Sequence, residues 1–163
     1  MSLRPEQPED RPFIDRLYAS TRIEELETSG LPKPMWGEFL ALQAHAQWTH
    51  YNKAYRPHSD FWVIEQGGQL VGRLYLFANA KDIRIIDIAL LPEARSRGIG
   101  GALLTALQRC AAEEGKVLSI HVEATNRALT LYTRLGFQRV SDHPPYQLMH
   151  WHPPALATPA TGA

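Results

Sequence analysis

Asp87-Ile88-Ala89-Leu90-Leu91-Pro92-Glu93-Ala94-Arg95-Ser96-Arg97-Gly98-Ile99-Gly100-Gly101-Ala102-Leu103-Leu104 reads as an apolar strand, a proline-broken turn, a glycine-rich loop and the start of an amphipathic helix. Within it, Arg95-x-x-Gly98-x-Gly100 falls where the helix begins. The first amides of a helix lack an intrahelical acceptor and carry partial positive charge, so they suit an anion such as a pyrophosphate. Glycine lets the backbone approach that group and tolerates the tight turn. The amides from Arg97 through Gly98, Ile99, Gly100 and Gly101 to Ala102 are therefore read as a phosphate cradle. Arg95 and Arg97 add either side-chain contacts or solvated loop charges. Two other cradles are excluded. A dinucleotide fingerprint counted from Gly98 needs a glycine where Leu103 stands, and no Gly-Lys followed by Ser or Thr, as a P-loop requires, comes after Gly98.

The remaining pattern, Arg-x-x-Gly-x-Gly after Leu90-Leu91-Pro92, resembles the coenzyme A motif of the GNAT superfamily of N-acetyltransferases. A second segment strengthens the resemblance. Val117-Leu118-Ser119-Ile120-His121-Val122-Glu123 is a strand by its β-branched content and alternation. It runs into Ala124-Thr125-Asn126-Arg127-Ala128-Leu129-Thr130-Leu131-Tyr132-Thr133-Arg134-Leu135-Gly136-Phe137, similar to the family's Asn, Ala, Leu-Tyr and Gly-Phe pattern, here with the short Asn126-x-Ala128 spacing.

Around these motifs the chain is punctuated clearly. Ser2 to Pro5 reads as an edge strand, and Asp10 or a neighbour caps a helix through Arg22 with Phe13, Ile14 and Leu17 inward. After the break at Gly30 to Pro34, a second helix runs from Trp36 to Lys53. Its Phe39, Leu42 and Ala46 suit a core face, and Gln43, Gln47 and His50 fall on another. Phe61–Glu65 and Gln69–Phe77 flank Gln66-Gly67-Gly68, a hairpin signal, and Ile83–Leu91 continues the meander. The glycine-started helix carries Leu103, Leu104, Leu107 and Ala111 at helical spacing and ends at Gly115. Gln138–Val140 and Tyr146–Trp151 read as a closing antiparallel pair. The order β-α-α-β-β-β-α-β-α-β-β agrees with the fold the resemblance implies. That fold is of the α/β (mixed α+β) class, a twisted mixed sheet flanked by helices. The resemblance covers Phe61 to Trp151. Residues 1–152 read as a single domain of this kind and 153–163 as a disordered tail.

The resemblance also assigns chemistry. The backbone of Ile88, Ala89 and Leu90 would meet the pantetheine arm and polarise the thioester carbonyl, which is oxyanion-type stabilisation. Tyr132 stands at the family's tyrosine position and would protonate the departing thiolate, unless it merely packs under the cofactor. Asn126 either hydrogen-bonds the arm or caps the following helix. An amine of pKa about 10 must lose a proton before attack. His121, on the strand where some relatives carry a glutamate base, titrates in the right range. Glu123 lies two residues on and hence on the same face. Asp87 is a third candidate, any of them acting through water. For His121 the alternative is a simple pairing with a strand neighbour. Trp36, Gln43, Gln47, His50 and Tyr51, over a floor of Tyr75 and Phe77, either border the acceptor cleft or are core and surface.

Bulk properties narrow the rest. The 163 residues carry 17 Lys plus Arg against 17 Asp plus Glu, so no basic stripe points to nucleic acid. No run approaches the roughly 18 apolar residues of a membrane span, and no signal-peptide pattern opens the sequence, so a cytoplasmic protein is expected. The single cysteine, Cys110, reads as a small core residue and allows no internal disulfide. Its place mid-helix argues against a ping-pong route. The expected activity is transfer of an acetyl group from acetyl-CoA, with no metal, to a small-molecule or protein primary amine by direct attack in a ternary complex. A homodimer through Tyr146–Trp151 is a further expectation. The rival is a non-catalytic acyl-CoA-binding sensor of the same fold.

Overall fold

A computed structural model describes residues 1–55 and 59–154. Of the expected tail 153–163, residues 155–163 lie outside them, as do residues 56–58. Seven strands form one mixed sheet in the order β1-β2-β3-β4-β5-β7-β6, with four α-helices between them in the sequence. Among the described residues no helix is long and apolar enough to cross a membrane. The contacts divide the chain into two units, Met1–Tyr75 with Asp87–Arg97, and Leu76–Ile86 with Gly98–Ala163.

The first unit begins with β1 (Ser2–Pro5), paired antiparallel to β2 (Ser59–Gln66), with Leu3 opposite Ile64. Pro5 is tolerated because β1 is an edge strand. Arg4 ties this edge to the following turn. It donates to both Asp10 carboxylate oxygens at 2.9 Å and to Glu65 at 2.6 Å. Asp10 also accepts the Gln7 amide at 2.7 Å, so it closes a 3-10 turn and makes no side-chain cap on the helix that follows. The hydrogen bonds from Arg4, with the Gln7 amide and against the opposing effect of burial, hold the Asp10 carboxyl below the usual carboxylate range. Stabilisation from a lowered carboxylate is present above its unfolded value and lost as the pH falls through its folded value. Asp10→Asn is therefore expected to lower stability at pH 7 by about 1–2 kcal/mol. Urea unfolding should show that gap to wild type closing as the pH drops below the ordinary carboxylate range.

Helix α1 (Arg11–Ser29) buries Phe13, Ile14 and Leu17 against Val63 and Leu91. It runs a further two turns beyond the expected end at Arg22. Nothing breaks the helix before Gly30, Leu26 is buried at 3 % exposure, and Ser29 bonds back to the Leu26 carbonyl.

Helix α2 (Trp36–Ala54) reverses the expected orientation. Phe39 and Leu42 are exposed, at 39 % and 71 %, and Ala46 is exposed too. Leu40, Ala44, Gln47 and Tyr51 turn inward. Their spacing is equally helical, but the polar residues are drawn inside by a buried cation on β3 (Gln69–Ala78). Gly72, next to that cation, sits where a Cβ would come within 2.4 Å of the Ala89 carbonyl oxygen and 2.7 Å of Leu90. Only glycine fits there. Strand β4 (Asp82–Leu90) passes from the second unit into the first, where the Leu91 amide donates to the Val71 carbonyl at 2.8 Å.

In the second unit β4 pairs in parallel with β5 (Val117–Glu123), Asp82–Ile85 facing Val117–Ile120. Helix α3 (Ile99–Glu114) packs its Ile99, Leu103, Leu104, Leu107 and Ala111 face inward and ends at Gly115, as the spacing predicts. Cys110 is exposed, contrary to its reading as a core residue. It is the neighbour of buried Ala111, about 100° round the helix from the inward face. Helix α4 (Leu129–Arg134) follows, and its last turn is secured by Gln108, which donates to the Leu135 carbonyl at 2.8 Å. The closing hairpin is longer than expected in its first strand: β6 (Gln138–His143) pairs with β7 (Tyr146–Trp151), which also pairs with β5. Pro153 is fully buried, so packing continues just past β7.

Candidate active site

The decisive loop is built from short local bonds. Pro92–Ala94 form a 3-10 turn, and Arg95 extends from it with its Nε donating to the Leu90 carbonyl at 3.1 Å. One role of the Arg95 side chain is thus to fasten the loop to the end of β4. Arg97 is exposed. Gly98 caps α3 with φ at 84°, a left-handed conformation that explains the glycine, since nothing lies within 4 Å of a Cβ built there. Its carbonyl accepts the Ala102 amide at 3.0 Å, the first bond of the helix. Ala102 is therefore committed to the helix, and the amides of Ile99, Gly100 and Gly101 precede its ladder. A Cβ at Gly100 or Gly101 would stand 3.6 or 4.0 Å from Leu131, an ordinary contact. The fold itself does not demand glycine at these two positions. A ligand approaching the amides would.

Also in the second unit, Asn126 is exposed, and its Oδ1 accepts the Ala128 amide at 2.8 Å. The side chain thus closes the turn before α4, while the helix itself is capped at Ala128 with no side-chain cap bond, so Asn126 is not its N-cap. Tyr132 is buried at 3 %, its ring 5.7 Å from that of Phe137. On β5, His121 is exposed and Glu123 half-buried. His121 Nδ1 lies 3.1 Å from Arg84 Nη1, and Arg84 Nε donates to Ser119 Oγ at 2.7 Å. Ser119, fully buried, donates in turn to Asp82 at 2.9 Å. Burial first, then the charges of Arg84, His143 and His150, push the His121 imidazole below its usual pKa. A shallow groove of about 470 Å³ beside α4, lined by Leu129, Thr133, Phe137 and Met149 among others, holds none of the predicted chemical groups.

The first unit carries Ile88, Ala89 and Leu90, all half-buried on β4. It also carries Asp87, which is engaged otherwise than as a base. Arg73, 3 % exposed, donates to Asp87 Oδ2 at 2.5 Å and to Gln47 at 2.7 Å, and Tyr51 donates to the same carboxylate oxygen at 3.3 Å. The guanidinium also lies over the rings of Tyr51 and Tyr75, at 5.8 and 5.0 Å. Burial opposes the charge on Arg73, but Asp87, Tyr75 and Tyr51 together outweigh it and hold the guanidinium above its ordinary value. Burial, then the charge of Asp87, likewise push the Tyr51 hydroxyl well up. Tyr75 is buried, stacks on Phe61 at 4.0 Å and donates to Glu6. Trp36 donates to the Leu31 carbonyl at 2.9 Å, which fixes the start of α2. The acceptor-cleft reading of Gln47, Tyr51 and Tyr75 thus gives way to a polar core. Arg73 and Arg84 were missed by sequence reasoning. Their signal was a charge inside the runs Leu70–Phe77 and Ile83–Ile86.

Comparisons with known proteins bear on this arrangement. The chain is 26 % identical over 125 residues to N-acetyltransferase 8F1 of Rattus norvegicus, across 71 % of this chain and 56 % of that protein. It spans about half the length of the curated rat relatives it matches. A candidate alanine N-acetyltransferase of ribosomal protein bS18 from Bacillus subtilis (strain 168) is 27 % identical over 76 % of this chain and 77 % of its own length. The crystal structure of the PaiA N-acetyltransferase from Thermoplasma acidophilum in complex with coenzyme A superposes with a TM-score of 0.70 over 93 % of this chain and 98 % of that one. At 14 % identity this likeness speaks for the fold. The acetyltransferase (GNAT) domain matches residues 57–139, which take in the glycine loop, β5 and α4, and the chain belongs to the GNAT acetyltransferase family.

Proposed function

We propose that the chain transfers an acetyl group from acetyl-CoA to a primary amine by direct attack in a ternary complex, with residues 1–152 acting as one domain. The observation that carries this reading is the start of α3, where the Ile99, Gly100 and Gly101 amides precede the first helical bond in a member of an acetyltransferase family. These amides, with Gly98 and Arg97, would hold the pyrophosphate, each contact contributing about 0.3–1 kcal/mol. The backbone of Ile88, Ala89 and Leu90 would receive the pantetheine arm and thioester carbonyl, and Asn126 would border the arm. Tyr132 would protonate the departing thiolate. With Asp87 paired to Arg73, the proton of the attacking amine would pass to Glu123 on β5, directly or through water. The likeness to a bS18 alanine acetyltransferase supports a polypeptide α-amine as acceptor. Such an amine, of pKa about 8, makes a smaller demand on a base than a lysine does.

The test begins with Gly100→Ala. Its Cβ meets only an ordinary contact, so the thermal midpoint should hold or rise, while acetyl-CoA affinity measured by isothermal titration falls about tenfold or more. Tyr132→Phe should then keep acetyl-CoA binding and lower kcat about a hundredfold in a thiol-release assay with a peptide amine. A folded wild-type protein that fails to bind acetyl-CoA removes the reading. Binding without thiol release, across peptide and small amines, transfers the case to the non-catalytic sensor.

A further inference from the structure

We infer that His121 recognises a carbonyl oxygen of the acceptor as a hydrogen-bond donor through Nε2, and that Arg84 is the positioning residue that holds it in this tautomer. The inference rests on the proposed reading for its acceptor, and on geometry for everything else. Arg84 Nη1 lies 3.1 Å from His121 Nδ1. A guanidinium has donors and no acceptor, so Nδ1 must supply the lone pair. A neutral imidazole carries one proton, which is then on Nε2.

The direction of this bond is fixed further back. Ser119 accepts from Arg84 Nε with the oxygen whose hydrogen it gives to Asp82. Asp82 anchors Ser119, Ser119 anchors Arg84, and Arg84 sets His121. Ser119 is fully buried and β4 and β5 are in register at Arg84 and Ser119, so the chain of bonds rests on the sheet itself.

The groups around the ring oppose its protonation. Arg84 faces it from β4, His143 from β6 with ring centroids 6.3 Å apart, and His150 stands on β7 opposite Ser119. The carboxylates nearby are Asp82, engaged by Ser119 and 3.8 Å from Arg84, and Glu123, two residues along β5. A second proton on the ring would have to sit on Nδ1, facing the guanidinium. In the neutral ring so held, Nε2 has no lone pair with which to take a proton from an amine. It has instead an N–H on an exposed side chain, on the strand where, by the resemblance, some relatives carry the base for the acceptor amine. The partner such a group selects is a carbonyl oxygen, and a polypeptide α-amine carries one within its own first residue.

Two measurements on the full chain test this. Long-range proton–nitrogen spectra of histidine-labelled protein, with the His121 signals assigned by their loss in His121→Gln, should show a ring protonated at Nε2 from pH 6 to 8. Arg84→Met should mix the tautomers and raise the pH at which the ring titrates. A ring protonated at Nδ1, or one titrating near pH 6.5 in the wild type, overturns the inference.

The second measurement is kinetic, with an alanyl peptide and an alkylamine that lacks the carbonyl. His121→Ala should raise KM for the peptide about fivefold to tenfold and leave the alkylamine's KM in place. His121→Gln, which restores an N–H at the reach of Nε2, should recover most of that rise without removing a limb of the pH profile. A kcat lost about a hundredfold in both variants, with a limb lost as well, makes His121 the base and overturns the inference. If the wild type acetylates neither amine, the acetyltransfer reading fails. The Nε2–H signal then decides separately: a shift on adding the peptide upholds the donor role, and no shift overturns it.

Discussion

Arg73→Met is expected to lower the unfolding free energy by about 3–5 kcal/mol, read from the midpoint of urea unfolding at an unchanged slope. The size follows from what stays behind. Asp87, with 18 % of its side chain exposed, would keep a charge whose partner has gone, and Gln47 would lose the donor that justifies turning an amide inward. Buried ion pairs owe much of their apparent strength to this asymmetry. Breaking one side is severe, while replacing both with apolar groups of similar volume is often neutral or better. The double variant Arg73→Met, Asp87→Leu should therefore recover most of the loss. A double variant as unstable as the single would show instead that α2 depends on polar partners at β3, through Gln47 and Tyr51, more than on the pairing of charge.

Gly72→Ala is expected to be nearly as damaging, about 3 kcal/mol, which for a chain of this size lowers the thermal midpoint by about 6–12 °C. The added methyl would need the space of a backbone carbonyl 2.4 Å away, and a carbonyl cannot rotate aside as a side chain can. The neighbouring contact with Leu90 at 2.7 Å is softer, and relaxation there alone does not relieve the clash. The pair of alanine substitutions at Gly72 and Gly100 thus separates two reasons for glycine in one chain. At Gly72 the protein's own backbone occupies the space, and melting temperature should register it. At Gly100 the space is open to a ligand, and affinity should register it. A Gly72→Ala protein as stable as wild type would mean that β3 and β4 part at this point without penalty.

The order of elements was legible because its signals are local. Gly67-Gly68 marks the hairpin, Gly115 ends α3, and the alternation of Val117–Glu123 marks β5 before any contact is known. The glycine loop and the start of α3 were legible for the same reason. What was not legible depends on partners distant in sequence. Periodicity offers two helical faces on α2, and the apolar one looked like the core. The other face was chosen by Arg73, a residue beyond the helix whose charge had to be met by Gln47 and Asp87. Asp87 changed from candidate base to counter-ion by the same contact. His121 was found as a residue of interest, but its tautomer is set by Arg84 across a strand pair, a register that no single stretch of sequence displays. Asn126 shows the reverse case. Of the two roles offered for it, only the helix cap was local, and its bond to the Ala128 amide makes a local turn just before α4.

The exposure of Cys110 gives the chain a practical property. Because it is the sole thiol and stands at the surface of α3, a maleimide dye or spin label will attach at one position, on the helix whose first turn carries the amides. No engineered handle is needed to tether the protein or to follow that helix by fluorescence. The same thiol gives air oxidation a single bond to make, a covalent pair of chains joined back to back through α3. Fresh reductant, or Cys110→Ser, should keep such a pair from being mistaken for a native dimer.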